Sequence, residues 1–136
     1  MREHLYRGKC TESGKWFYGS LIKTRNNECL IVGDWDYGFI FEKCIHRVIP
    51  ETVGLYTGQK DKNGARIFEG DILECLRNVL EINQVGNKQK CRTKTEKFRH
   101  VVYFDYGRFY ALQESLFDKV IVGNIHDNPD LFEAAK

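Results

Sequence analysis

No apolar run in this 136-residue chain approaches the length of about 18 needed for a membrane-spanning helix, so no membrane partner is expected. Behind Met1-Arg2-Glu3-His4-Leu5-Tyr6-Arg7 there is no apolar stretch, so no secretory signal is expected either. Proline occurs only at Pro50 and Pro129. There is no C-x-x-C and no H-x-x-x-H spacing, and zinc normally takes four ligands, so no metal site is expected. The Gly-x-Ser-x-Gly turn, Gly-x-Gly-x-x-Gly and the Walker A loop are all missing. Known forms of nucleophilic catalysis and of phosphate cradling thus find no support. No catalytic residue and no cofactor is expected. The five cysteines, 10, 29, 44, 75 and 91, are an odd and scattered set, which reads as free thiols in a reducing cytoplasm.

What is present suits β-structure. Nine Phe, seven Tyr and two Trp can fill a core, and twelve glycines are spread among aromatic and β-branched residues. Short strands between Gly, Asn and Asp turns give that mixture; long helices do not. Strands are expected over 4–10 and 15–25, around the turn residues Thr11-Glu12-Ser13-Gly14, and at Cys29-Leu30-Ile31-Val32 and Phe39-Ile40-Phe41. Residues 45–50 read as a strand or a connector. Val53-Gly54-Leu55-Tyr56-Thr57 and Ala65-Arg66-Ile67-Phe68 flank Asn63-Gly64, for which a type I′ hairpin is expected. Glu69-Gly70-Asp71 turns the chain into Ile72-Leu73-Glu74-Cys75-Leu76. Residues 77–97 are polar and weakly periodic, with Gly86-Asn87 ending any helical turn, and read as a long excursion. Val101-Val102-Tyr103-Phe104 and Phe109-Tyr110-Ala111-Leu112 pair around Asp105-Tyr106-Gly107-Arg108, and Lys119-Val120-Ile121-Val122-Gly123 is a last strand. A short C-terminal helix follows, with Asn128 as cap and Pro129 at its first position.

The expected fold is therefore mainly β, with antiparallel strands, short hairpins, a long basic excursion and a short C-terminal helix. One domain spans 1–136, with room for two packed sub-units: N-terminal strands over 1–50, and the remaining strands and helix over 51–136.

Three blocks resemble the YopX protein family. They are Tyr6-Arg7-Gly8-Lys9 with Gly14-Lys15-Trp16-Phe17-Tyr18-Gly19, the long stretch from Glu51 to Ile72 containing Gly54-Leu55-Tyr56-Thr57-Gly58 and Ile67-Phe68-Glu69-Gly70-Asp71-Ile72, and Val122-Gly123-Asn124-Ile125-His126-Asp127-Asn128-Pro129-Asp130-Leu131. Their order and spacing cover nearly the whole chain. The resemblance implies a bacteriophage or prophage protein acting in the bacterial host's cytoplasm, with a barrel-like mainly-β fold. It implies no established activity. The basic excursion is where departure from relatives is expected.

Charge offers the one feature with partner chemistry. The net charge is only +2, but Lys88, Lys90, Arg92, Lys94, Lys97 and Arg99 crowd residues 86–100 with Glu96 alone opposing them. Such a run attracts phosphates, and Phe98 adds a ring for stacking. A solvated loop is the bland alternative. Cys44 and His46 would share one side of a strand, and His126, Asp127 and Asp130 lie close together; strand, turn and capping roles account for both groups. The expected function is that of a non-catalytic binding module. It either binds nucleic acid through 86–100 or acts as an adaptor for a host or phage protein through edges and aromatics such as Trp35 and Tyr37. Homo-oligomerisation would be one way to protect strand edges.

Overall fold

Aromatic and β-branched side chains fit a pleated, half-buried surface, and the runs rich in them become strands. The computed structural model describes residues 5–33, 45–105, 108–110, 112 and 116–133. The expected strand at 39–41, Cys44 and the aromatics Trp35 and Tyr37 lie outside the described residues. The chain divides into two compact units, Met1–Lys60 with Arg66–Gly70, and Asp61–Ala65 with Asp71–Lys136. Residues 50–52 lie within the first.

In the first unit, β1 (Tyr6–Lys9), β2 (Trp16–Lys23), β3 (Cys29–Val32), β4 (Ile45–Val48), β5 (Gly54–Lys60) and β6 (Arg66–Phe68) form one antiparallel sheet, ordered β4-β3-β2-β1-β5-β6. Residues 45–50 resolve into strand β4 and the start of a 3-10 turn at Pro50–Thr52. Cys29, Ile31 and Val48 form the core, with Tyr6, Phe17, Leu21 and Val53 packed against them. Burying an Ile or Val side chain contributes roughly 1.5–3 kcal/mol. The sheet curls until β4 meets the end of β1: Cys10 bridges to Val48, and the Ile49 N–H donates to the Lys9 carbonyl at 2.8 Å. No closed barrel is found among the described residues; the strands form antiparallel sheets. Gly54 lets β5 pass close to the Glu69 carbonyl, which would lie 2.5 Å from any added Cβ.

In the second unit, β7 (Asp71–Val85) runs between β11 (Leu116–Asn124) and β8 (Lys88–Val101). A short hairpin, β9 (Tyr103–Asp105) and β10 (Arg108–Tyr110), follows β8, and α1 (Pro129–Glu133) ends the described chain. Ile72, Leu73, Cys75, Val102 and Leu116 are its buried apolar residues.

Two expectations change here. Residues 77–97 are not an excursion without structure: they are the outer part of an unbroken β7–β8 ladder from Ile72↔Val101 to Val85↔Lys88. Gly86, at φ +64°, opens its two-residue turn, the glycine-first chemistry that suits a type II′ hairpin. The turn at 61–65 is not type I′. Positive φ falls on Gly64 (+86°) and not on Asn63, and the Gly64 N–H donates to the Asp61 carbonyl at 3.0 Å. At the C-terminal turn the Asn128 side-chain oxygen accepts from the Asn124 N–H at 3.3 Å, and the Leu131 N–H donates to the Asn128 carbonyl at 3.1 Å.

Candidate nucleic-acid interface

In an antiparallel ladder, residues directly opposite one another share a face. The β7–β8 register therefore sorts the basic run. Lys88, Lys90, Arg92 and Lys94 face one side, opposite Val85, Asn83, Glu81 and Val79. Lys97 and Arg99 face the other, opposite Leu76 and Glu74. β11 pairs with β7 only as far as Arg77. Beyond that point residues 78–95 form a two-stranded ribbon, about 27 Å long at ~3.4 Å per residue. All its residues are exposed except Val79 and Glu81, which are half-buried.

The two sets of cations differ electrostatically. Lys97 Nζ lies 2.9 Å from Glu74 Oε1, and Arg99 Nε lies 3.3 Å from Glu74 Oε2. Arg99 also donates to the Leu131 carbonyl at 3.3 Å, tying β8 to α1. The hydrogen bond from Lys97 leads the interactions that hold the Glu74 carboxyl below its ordinary value, against the pull of burial, with Arg99 adding to it. Arg99 is thus tied into the fold, and Lys97 meets the same carboxylate on the face away from the other four cations. On the ribbon, Arg92 Nε pairs with Glu81 at 2.9 Å. Lys88, Lys90 and Lys94 have no ion pair among the described residues. Successive cations stand about 6.8 Å apart along one strand, twice the residue rise.

At the ribbon's base, Arg77 lies 4.7 Å over the Phe98 ring and 3.7 Å from Glu96. Phe98 meets His100 edge-on at 4.4 Å. Phe98 is therefore engaged in the base and half-buried, not offered for stacking. Burial first, and then the Arg77 charge, push the His100 imidazole below its ordinary value, so it adds no cation near neutral pH. Exposed rings of this unit lie on the small hairpin and, at Phe117, on β11. On the hairpin Tyr103 stacks on Tyr110 at 4.5 Å, Phe104 meets Phe109 at 4.9 Å, and Arg108 sits over Tyr110. Tyr103 and Phe104 are each 49% exposed.

Of the other sequence candidates, His46, His126 and Asp127 take part in local structural contacts. His46 stacks on Phe17 at 3.5 Å between ring centres, while Cys44 lies outside the described residues. Asn124 organises the C-terminal turn, accepting from the N–H groups of His126 and Asp127 and donating to the Asp127 carboxylate. Among the described residues no cluster of His, Cys, Asp or Glu could hold a metal ion. Cys75 is buried, which raises its thiol pKa; hydrogen bonding with Ser13 lowers that of Cys10. No described helix is long and apolar enough to cross a membrane.

The family model described as YopX protein matches residues 5–133. This chain belongs to the YopX protein family. No curated protein matches it. Among solved structures, protein EF1440 from Enterococcus faecalis is similar in fold, with a TM-score of 0.53 over 96% of this chain and 99% of that one, at 18% identity. That likeness carries fold alone, so function in this YopX chain has to be argued from its own residues.

Proposed function

We infer that this YopX family protein is a non-catalytic binding module that engages nucleic acid through the charged face of the 78–95 ribbon. The observation that carries this reading is the alignment of Lys88, Lys90, Arg92 and Lys94 on one face of an exposed two-stranded ribbon, with Glu81 as the one carboxylate beside them. A ribbon of this width fits the major groove of duplex DNA, and lysines at this spacing contact phosphates along a strand. Lys97 and Arg99, held by Glu74, position the ribbon rather than bind. The protein acts as a phage or prophage accessory factor in the bacterial cytoplasm, a setting that the family resemblance and the scattered thiols both support.

Fluorescence anisotropy with labelled duplex DNA, single-stranded DNA and RNA tests this. Binding should weaken as salt rises, with a log–log slope of about −3 or steeper for three to four phosphate contacts. Serine at 88, 90, 92 and 94 should abolish it. Serine at Lys97 should change it little. Flat curves for all three ligands at low salt would overturn the reading, leaving the lysines as guards of an edge strand against aggregation. The exposed Tyr103 and Phe104 favour the second reading, an adaptor for a host or phage protein. In that case substitutions at 103 and 104 would weaken capture of the partner and serine at 88–94 would not.

A further inference from the structure

The ribbon has a second face of opposite character. The register that gathers Lys88, Lys90, Arg92, Lys94 and Glu81 on one side puts Leu80, Ile82, Gln84, Gln89, Cys91 and Thr93 on the other. None of these six is charged. Leu80 is 61% exposed and Ile82 58%, and Cys91 stands directly opposite Ile82. Towards the base the patch ends at the hydrogen-bonded pair Asn78–Thr95 (3.1 Å), before the charged group Glu74, Lys97 and Arg99 begins. Segregation is complete over this span: every charged side chain of residues 78–95 is on one face.

An isolated two-stranded ribbon is marginal in water, so covering one face would stabilise it. Charge decides what covers it. Two copies meeting through their basic faces would oppose four cations with four. Two β8 edges pairing side by side would set lysines against lysines, which is destabilising. Only the uncharged face meets its own copy without repulsion, and it offers Leu80 and Ile82 with flanking amides and hydroxyls that can bond across. We propose that residues 78–95 of two copies pack face to face through Leu80, Ile82 and Cys91, making a two-layer ribbon pair with both basic faces turned outward. The face spans roughly 300 Å² per copy, from a length of about 27 Å and a two-strand width of ~10 Å. That is well under the ~800 Å² per partner of a standard interface, so the dimer is weak and forms at tens to hundreds of micromolar (about −5 to −6 kcal/mol of binding).

Sedimentation equilibrium of the whole chain, from low micromolar to roughly 500 µM, tests this in the range where an interface of this size associates. The average mass should rise towards twice the monomer's with concentration. Leu80→Lys with Ile82→Lys should keep the mass at the monomer value, and Leu80→Thr with Ile82→Thr, which retains strand-forming side chains, should weaken association at least several-fold. Circular dichroism identifies any variant that has unfolded. Sidedness is read separately with Cys10 and Cys44 replaced by serine. A short bis-maleimide should join two copies through Cys91. After Cys91→Ser and Lys90→Cys, which moves the thiol to the charged face, cross-linking should fall at least tenfold. A monomer at every concentration, a dimer that survives both lysines, or equal cross-linking from positions 90 and 91 would each overturn the proposal. None of these readings involves nucleic acid, so they stand or fall independently of the binding proposed above.

Discussion

Asp61 shows how one side chain can hold a turn. It is 8% exposed, and its Oδ1 accepts from the N–H groups of Asn63 and Ala65, both at 2.9 Å. Its Oδ2 accepts from the Ile121 N–H on β11 at 3.1 Å, and the Lys62 N–H donates to the Lys119 carbonyl beside it at 2.9 Å. Burial on its own would raise the carboxyl's pKa; the donated N–H groups of Ile121, Ala65 and Asn63 outweigh it and hold it below the ordinary value. A carboxyl depressed in the folded state stabilises above its unfolded value and loses that contribution as pH falls through the folded one. Asp61→Asn leaves one acceptor oxygen, so an amide N–H must face a backbone N–H. We expect a loss of about 1–3 kcal/mol at pH 7, read by urea denaturation. The cost should shrink as the pH drops below about 4, the unfolded range of an aspartate.

Among elements, the β7–β8 ladder joins two regimes. From Asp71 to Arg77, β7 has a neighbour on both sides and carries Ile72, Leu73 and Cys75 at no more than 1% exposure. From 78 onward it has one neighbour and no buried residue. Hydrogen exchange should follow that division, with amides of 72–76 slow and those of 78–95 fast at concentrations where the chain is monomeric. Gly86→Val places a β-branched side chain at φ +64°, at a cost of about 1–2 kcal/mol. It should speed exchange in the ribbon while leaving 72–76 protected; slow exchange in the outer ribbon would contradict this division. The sequence signals for this element were present. Gly-Asn between polar runs is a hairpin turn, and Lys88, Lys90, Arg92 and Lys94 recur at period two, the period of a strand. Neither stands out by hydrophobic pattern, because a ribbon exposed on both faces needs no apolar alternation. The same cause made 77–97 read as an excursion. By contrast β2, β5 and the β9–β10 pair were legible, since aromatic and β-branched residues in short runs have few alternatives.

For the whole molecule, charge is carried by the ribbon. Residues 78–95 hold four cations and Glu81, a net +3 against +2 for the entire chain, so the remainder carries −1. Arg77 and Glu96 are opposed in the register, so Asn-Gly can replace 78–95 and close the hairpin eight pairs earlier. No core side chain is lost. We expect the shortened protein to keep its far- and near-ultraviolet circular dichroism and to lose retention on a cation exchanger at pH 7. Loss of the folded spectrum would show that the ribbon supports the sheet beneath it.

Composition and local chemistry by themselves determined that the chain is built of short antiparallel strands, while its place in the YopX family rests on the three sequence blocks and the family match. Aromatics, β-branched residues and turn-forming Gly, Asn and Asp act on the nearest few residues, and those effects are readable in order along the chain. Only the tertiary structure decided which cations meet a carboxylate. Lys97 and Arg99 look like their neighbours in the sequence, yet Glu74, more than twenty residues away, pairs with both. Lys88, Lys90 and Lys94 remain available because the register turns them to the other side. Pairing across a ladder is a long-range choice, fixed by where β11 stops and where Gly86 turns the chain, and no local pattern carries it.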